Sequence, residues 1–374
     1  MDLIREHRSL IQQCNLEPNF FKLIEKAQVD SINGYIGNLI EDASRQCNIN
    51  KFNNSALLLR GICLAYESFQ LDRLCCWGQQ TLTKLCSGSD DSDKNRSDFA
   101  EFEAFGYLSA AFHDKKIEHI DEEHGKNGKT ADFRIEDNLE IEVYCPDESH
   151  PERERVTDEL EKQIEQTRVH GGLQQQSVGV VVSRPVTGSK PNAINYSTNQ
   201  TIARVVGGKR DKDQFSTDKK NILWVDLKHK LALSVKETQF LESINHQSQT
   251  YIGCFGIWHA FYGEVGRSIF PTERYQIKVY RGSEDTYYQH KYNGLFRERS
   301  HLSGAILSCL DGIVLFLNPW CDTPLTDEQI RCLTRMPQFR PEYSFFIKDT
   351  LKMEVTSKEA VISFLLEKER EKIE

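Results

Sequence analysis

Acidic side chains at alternate positions can do chemistry when a strand carries them to one face. In Leu139-Glu140-Ile141-Glu142-Val143-Tyr144-Cys145 the apolar set Leu139, Ile141, Val143 and Cys145 alternates with Glu140, Glu142 and Tyr144. A strand's period of two puts both carboxylates and the phenol on one side. The preceding stretch, Thr130-Ala131-Asp132-Phe133-Arg134-Ile135, reads as a second strand, joined to the first by a turn carrying Asp137-Asn138. Asp132 thus adds a third carboxylate from a neighbouring strand. Hard oxygen donors of this kind suit a small divalent cation, Mg²⁺ or Mn²⁺. Taken alone, alternating acids also describe the solvated face of an antiparallel sheet.

The chain around these residues has 374 residues, enough for one large or two ordinary domains, and two is the expectation. With 47 basic against 56 acidic residues and a net charge of -9, it is not coated in positive charge, so contact with nucleic acid would need a local basic patch. Its 11 cysteines contain no CxxC pair, which reads as reduced thiols in a cytoplasmic protein and not as a disulfide framework or zinc finger. His113, His119 and His124 flank the acidic run Asp121-Glu122-Glu123, but without zinc-ligand spacing. No apolar signal core follows Met1, and no apolar run approaches the roughly 18 residues of a membrane span. A soluble protein without membrane attachment is expected.

Residues 1–86 carry apolar side chains at helical spacing and are expected to form a small all-α domain, with Ser55 as the cap of a helix that starts at Ala56. Residues 87–97 are polar and read as a linker. From residue 98 to 330 the pattern changes to a helix over 99–112, strands at 117–120 and across the acidic pair, a helix over 151–170 and a buried strand at 178–182. Further strands are expected at 221–227, 251–259, 275–280 and 312–317, after a long insertion over 183–220. Residues 331–374 form a C-terminal helical extension whose end, 358–374, is a charged helix. The fold class is α/β: a mixed β-sheet core flanked by helices, preceded by the small all-α domain.

Two basic stretches have the composition of a nucleic-acid surface. Lys209 and Arg210 lie in the polar insertion. The span 274–299 carries Arg274, Lys278, Arg281, Lys291, Arg297 and Arg299, interleaved with Tyr275, Tyr280, Tyr287, Tyr288, Tyr292 and Phe296. Cations among stackable rings suit unpaired strands or distorted ends; a solvated loop and core tyrosines are the plain alternatives.

A helix bearing an acid, a strand ending in Asp, here Asp132 with its apolar trail Phe133-Arg134-Ile135, and a neighbouring strand with Glu142 two residues before a polar group resemble the PD-(D/E)xK nuclease superfamily, whose core is the restriction-endonuclease-like fold. The match runs from about residue 99 to 166. The resemblance implies a metal-dependent nuclease, most readily on DNA, in a prokaryotic defence or DNA-processing role. It implies Asp132, Glu142 and Glu101 as Mg²⁺ ligands, with Glu103 competing for the helical position. Lys162, Gln163 and Gln166 resemble the polar residues that such enzymes place over the site. Tyr144 occupies the position where the family carries Lys, and a neutral phenol supplies no positive charge. Three readings stay open: Lys162 replaces the missing cation; Glu140 and Glu142 form a shifted acid-x-acid pair; or the site is inactive and the fold serves as a nucleic-acid-binding sensor or scaffold. In the nuclease reading the helical N-terminal region is expected to supply a partner or homodimer surface.

Overall fold

Strands that are apolar on both faces need cover on both faces, and the central strands of this chain are of that kind. The computed structural model describes residues 19–26, 32, 34–47, 54–66, 76–87, 92–120, 131–136, 138–146, 215, 217–229, 234–235, 242–246, 249–253, 257–265 and 293–344. In chain order the helices α1 (Asn19–Lys26), α2 (Tyr35–Cys47), α3 (Asn54–Ala65), α4 (Cys76–Ser87) and α5 (Ser92–Ala111) precede the strands β1 (Ile117–His119), β2 (Phe133–Ile135), β3 (Leu139–Tyr144) and β4 (Lys220–Asp226). The hairpin β5 (Glu242–His246) and β6 (Gln249–Gly253), the short helices α6 (Trp258–Tyr262) and α7 (Leu295–Glu298), the strands β7 (Leu302–Cys309) and β8 (Gly312–Leu317), and the helix α8 (Asp327–Leu333) follow.

Among the described residues six strands form one mixed sheet in the order β1-β2-β3-β4-β7-β8. The first three make an antiparallel meander, β3, β4 and β7 run parallel, and β8 returns antiparallel beside β7. Alternation along β4, β7 and β8 divides their side chains between two cores. Ile222, Trp224, Ile306, Ile313 and Leu315 join Leu139, Ile141 and Val143 beneath α1 to α5. Leu223, Val225, Ala305, Leu307 and Phe316 join Phe261, Tyr262, Leu295 and Phe296 on the other side. The N-terminal helices therefore share a core with the sheet. Helix α5 begins at Ser92, inside the polar stretch 87–97, and α3 begins at Asn54 with Ser55 buried within it, so Ser55 is not the residue ahead of the helix.

Other departures from the periodicity reading have the same origin in tertiary packing. The stretch expected as a strand over 251–259 is a strand only to Gly253; Trp258 and His259 belong to α6, where Phe261 and Tyr262 pack on Phe296 and Phe316. Strand β7, Leu-Ser-Gly-Ala-Ile-Leu-Ser-Cys, lies inside the sheet between β4 and β8 although its serines and glycine obscure any alternation; Ser303 Oγ accepts from Asn221 N at 3.0 Å. The expected elements at 151–170, 178–182, 275–280 and 358–374 lie outside the described residues. No helix among the described residues is long and apolar enough to cross a membrane.

Candidate functional site

The acidic strand pair forms as a meander because Phe133, Ile135, Leu139 and Ile141 are all drawn into the core. Its register pairs Phe133 with Ile141, Arg134 with Glu140 and Ile135 with Leu139, and one further step sets Asp132 opposite Glu142. At that step the side chain enters the ladder. Asp132 N donates to Ile141 O at 3.0 Å, while Asp132 Oδ2 accepts from Val143 N at 2.6 Å. A carboxylate accepting a backbone N–H is held in one orientation, so the Glu142 end of β3 is flanked by an anchored acid.

Glu101 approaches from α5. Its Oε1 accepts from Ser97 Oγ at 3.3 Å. Burial pushes its carboxyl up to about 7, and the Asp98 and Glu142 carboxylates push the same way, against the Ser97 hydroxyl and the Lys84 ammonium. Lys84 of α4 is itself ion-paired with Asp98. Burial is thus the main cause of the rise at Glu101, with the Glu142 charge a smaller one, and neutrality near pH 7 relieves both.

The other acids have different occupations. Glu140 is buried and neutralised by two cations: Arg134 Nη2 at 2.8 Å and Nε at 3.2 Å, directly across the strand pair, and Lys219 Nζ at 2.9 Å, just ahead of β4. A carboxylate so engaged is a structural ion cluster, which argues against the acid-x-acid pairing of Glu140 with Glu142. Glu103 is also buried, but toward β4, where its Oε1 meets Lys228 Nζ at 2.5 Å. Burial raises its carboxyl and the Lys228 charge opposes the rise. Of the two helical acids, Glu101 is the one whose carboxyl feels the Glu142 charge. Tyr144 is partly buried and packs against the second apolar core, with Leu223 and Val225.

Lys162, Gln163, Gln166, Lys209, Arg210, Arg274, Arg281 and Lys291 lie outside the described residues. Arg297 is engaged within the fold: its guanidinium lies 4.3 Å from the Trp320 ring centroid, its Nε donates to Tyr262 O at 3.0 Å, and its Nη2 is 3.6 Å from Glu264 Oε2. Arg299 lines a small cleft with Phe215 and His301. His119 stacks on Trp77, with centroids 4.5 Å apart and planes 17° from parallel. The sequence reading does not find Asp98, Lys84 or Lys228, and it groups Lys219 with the basic loop residues, where the structure pairs it with Glu140. Asp98 stands three residues before Glu101, a helical neighbour spacing that would have revealed it; the lysines arrive from other segments.

Among the described residues no three His, Cys, Asp or Glu side chains close on a single point in the manner of an all-protein metal cage. Mg²⁺ seldom uses such a cage; it keeps several waters and takes one or two carboxylates plus a substrate phosphate. In such a donor set Asp132 and Glu142, opposite each other on the β2–β3 pair, would be the carboxylates. Comparison with family models, with curated proteins and with solved structures gives no match to this chain.

Proposed function

We propose that this chain is a metal-dependent nuclease of the PD-(D/E)xK kind, hydrolysing phosphodiester bonds in DNA at Glu101, Asp132 and Glu142. The observation that carries the reading is the strand register that sets Asp132 opposite Glu142, where the Asp132 side chain takes the Val143 N–H; the Glu101 carboxyl on α5 feels the Glu142 charge. The order helix, antiparallel meander, then parallel strands is also what a restriction-endonuclease-like core would require. Bound at these acids, Mg²⁺ or Mn²⁺ would polarise the phosphoryl group and lower the pKa of a water. The chain's own part is to hold the donors. Val143 N–H fixes Asp132, the strand register sets Glu142 opposite it, and α5 carries Glu101 to them. Glu101, largely protonated below pH 7, releases that proton when it becomes a donor.

Tyr144 favours a second reading. Where the family's Lys would stand, a ring packs on the apolar core, as it would in a nuclease-like module that binds nucleic acid without cutting it. Cleavage of plasmid and single-stranded DNA in Mg²⁺ or Mn²⁺ separates the two. Under the first reading Asp132→Ala and Glu142→Ala each lower cleavage by about 100-fold. Cleavage untouched by both substitutions rejects the site; binding without cleavage in either ion selects the module.

A further inference from the structure

From Phe99 onward α5 is buried on almost every side: Phe99, Ala100, Phe102, Ala104, Phe105, Tyr107, Leu108 and Ala111 all lie in the core, and only Glu101 is partly open. A helix that is apolar all round has no stripe to define its rotation about its own axis. Directional contacts must define it. Among the described residues the Glu103–Lys228 pair is the contact from this buried length that is both charged and enclosed, at 2.5 Å with side chains 1% and 2% exposed.

The partner cation is itself rigidly built. Asp226 ends β4, and its Oδ1 accepts from Lys228 N at 2.8 Å and from His229 N at 3.4 Å. Its Oδ2 meets His229 Nδ1 at 3.0 Å. The turn so formed folds Lys228 and His229 back beneath α5. There the Lys228 ammonium lies 5.5 Å from the Tyr107 ring centroid, and the His229 ring meets Phe99 edge-on with centroids 4.9 Å apart. Gly61 of α3 closes the pair from the third side; a Cβ there would fall 2.1 Å from Glu103 Oε1. The carboxylate therefore has little room to slide.

Glu101 and Glu103 are two positions apart, or about 200° around a helix, so what fixes one from below aims the other. With a side-chain tip about 6 Å from the helix axis, a roll of about 20° moves it about 2 Å, several times the tolerance of about 0.5 Å that a metal or catalytic constellation allows. We propose that Lys228 and Asp226 are positioning residues: through Glu103 they set the rotation of α5 and thereby the direction in which Glu101 leaves the helix. The inference rests on the reading of Glu101 and Glu142 as cation-holding acids. A buried charge pair is a weak source of stability but a good source of register, which is the property this helix lacks.

The test uses the full chain and Mn²⁺ alone as probe, with binding followed by electron paramagnetic resonance and folding by thermal melting. Wild type, Glu101→Gln, Lys228→Met and the double variant Glu103→Leu/Lys228→Met are compared well below their melting temperatures. The double variant replaces the pair by packed apolar groups, so its stability is kept while direction is lost. Its Mn²⁺ affinity is expected to fall at least about tenfold, as supporting residues behind a metal ligand typically cost, although neither residue is a Mn²⁺ donor. A stably folded double variant that binds Mn²⁺ as wild type does, while Glu101→Gln binds weakly, overturns the positioning role and leaves the site standing. Mn²⁺ binding indifferent to Glu101→Gln removes the site and the positioning role together.

Discussion

Glu101→Gln should make the ion-free protein more stable, and the gain should depend on pH. The Glu101 carboxyl rises from its ordinary 4.5 to about 7 on folding, first through burial and then through Asp98 and Glu142. Between those values the folded chain keeps a proton that the unfolded chain has released. Stability then falls as pH rises, because its slope follows protons bound by the unfolded state minus those bound by the native state. Below about pH 4.5 both states are protonated and the group contributes nothing; above about pH 7 the full penalty is present. A shift of about 2.5 pKa units corresponds to about 3 kcal/mol. Partial access of water to Glu101 brings a realistic figure to about 2 kcal/mol. Glutamine keeps the shape and the Ser97 contact without the charge. Urea unfolding in a chelator should therefore find Glu101→Gln about 2 kcal/mol more stable than wild type at pH 8 and less than about 1 kcal/mol more stable at pH 5. If the acids hold a divalent ion, Mn²⁺ at about 100 times its Kd stabilises wild type by about 2.7 kcal/mol and closes the gap. A stability difference that is equal at the two pH values would refute the reasoning.

Gly61→Ala tests the enclosure of the buried ion pair. Alanine in a helix normally gains about 1 kcal/mol over glycine, but a Cβ 2.1 Å from Glu103 Oε1 and 3.3 Å from Lys228 Nζ reverses the sign; a loss of about 2 kcal/mol is expected by urea denaturation. Glu140→Ala leaves Arg134 and Lys219 without their shared anion and should cost about 1–3 kcal/mol by urea denaturation. Thr326→Ala removes the capping box at the start of α8, where Thr326 Oγ1 accepts from Gln329 N at 3.2 Å and Gln329 Oε1 accepts from Thr326 N at 2.9 Å. A loss of about 1 kcal/mol, read as a lower melting temperature, is expected there.

The local part of the site is written in the sequence. Alternation through Leu139 to Tyr144 and the short turn before it specify two antiparallel strands, and a period of two leaves one register in which Phe133, Ile135, Leu139 and Ile141 are all buried. That register alone brings Asp132 opposite Glu142 and Arg134 opposite Glu140. Gly312–Leu317 is equally plain, because six apolar residues between turn signals have little choice but a buried strand. What alternation does not say is whether the polar face of β3 meets water. Glu140 and Glu142 are both buried, Glu140 against Arg134 and Lys219, and Tyr144 packs on the second core built from α6, α7 and the far sides of β4, β7 and β8. The different surroundings of Glu101 and Glu103 likewise belong to tertiary structure: both lie in one apolar helix, and Lys228, 125 residues beyond Glu103, pairs with that residue inside the fold while Glu101 stays partly open. Sequence determines contacts that a strand or helical period can carry. Partners supplied by distant segments are decided by which buried charge must be neutralised when the cores close.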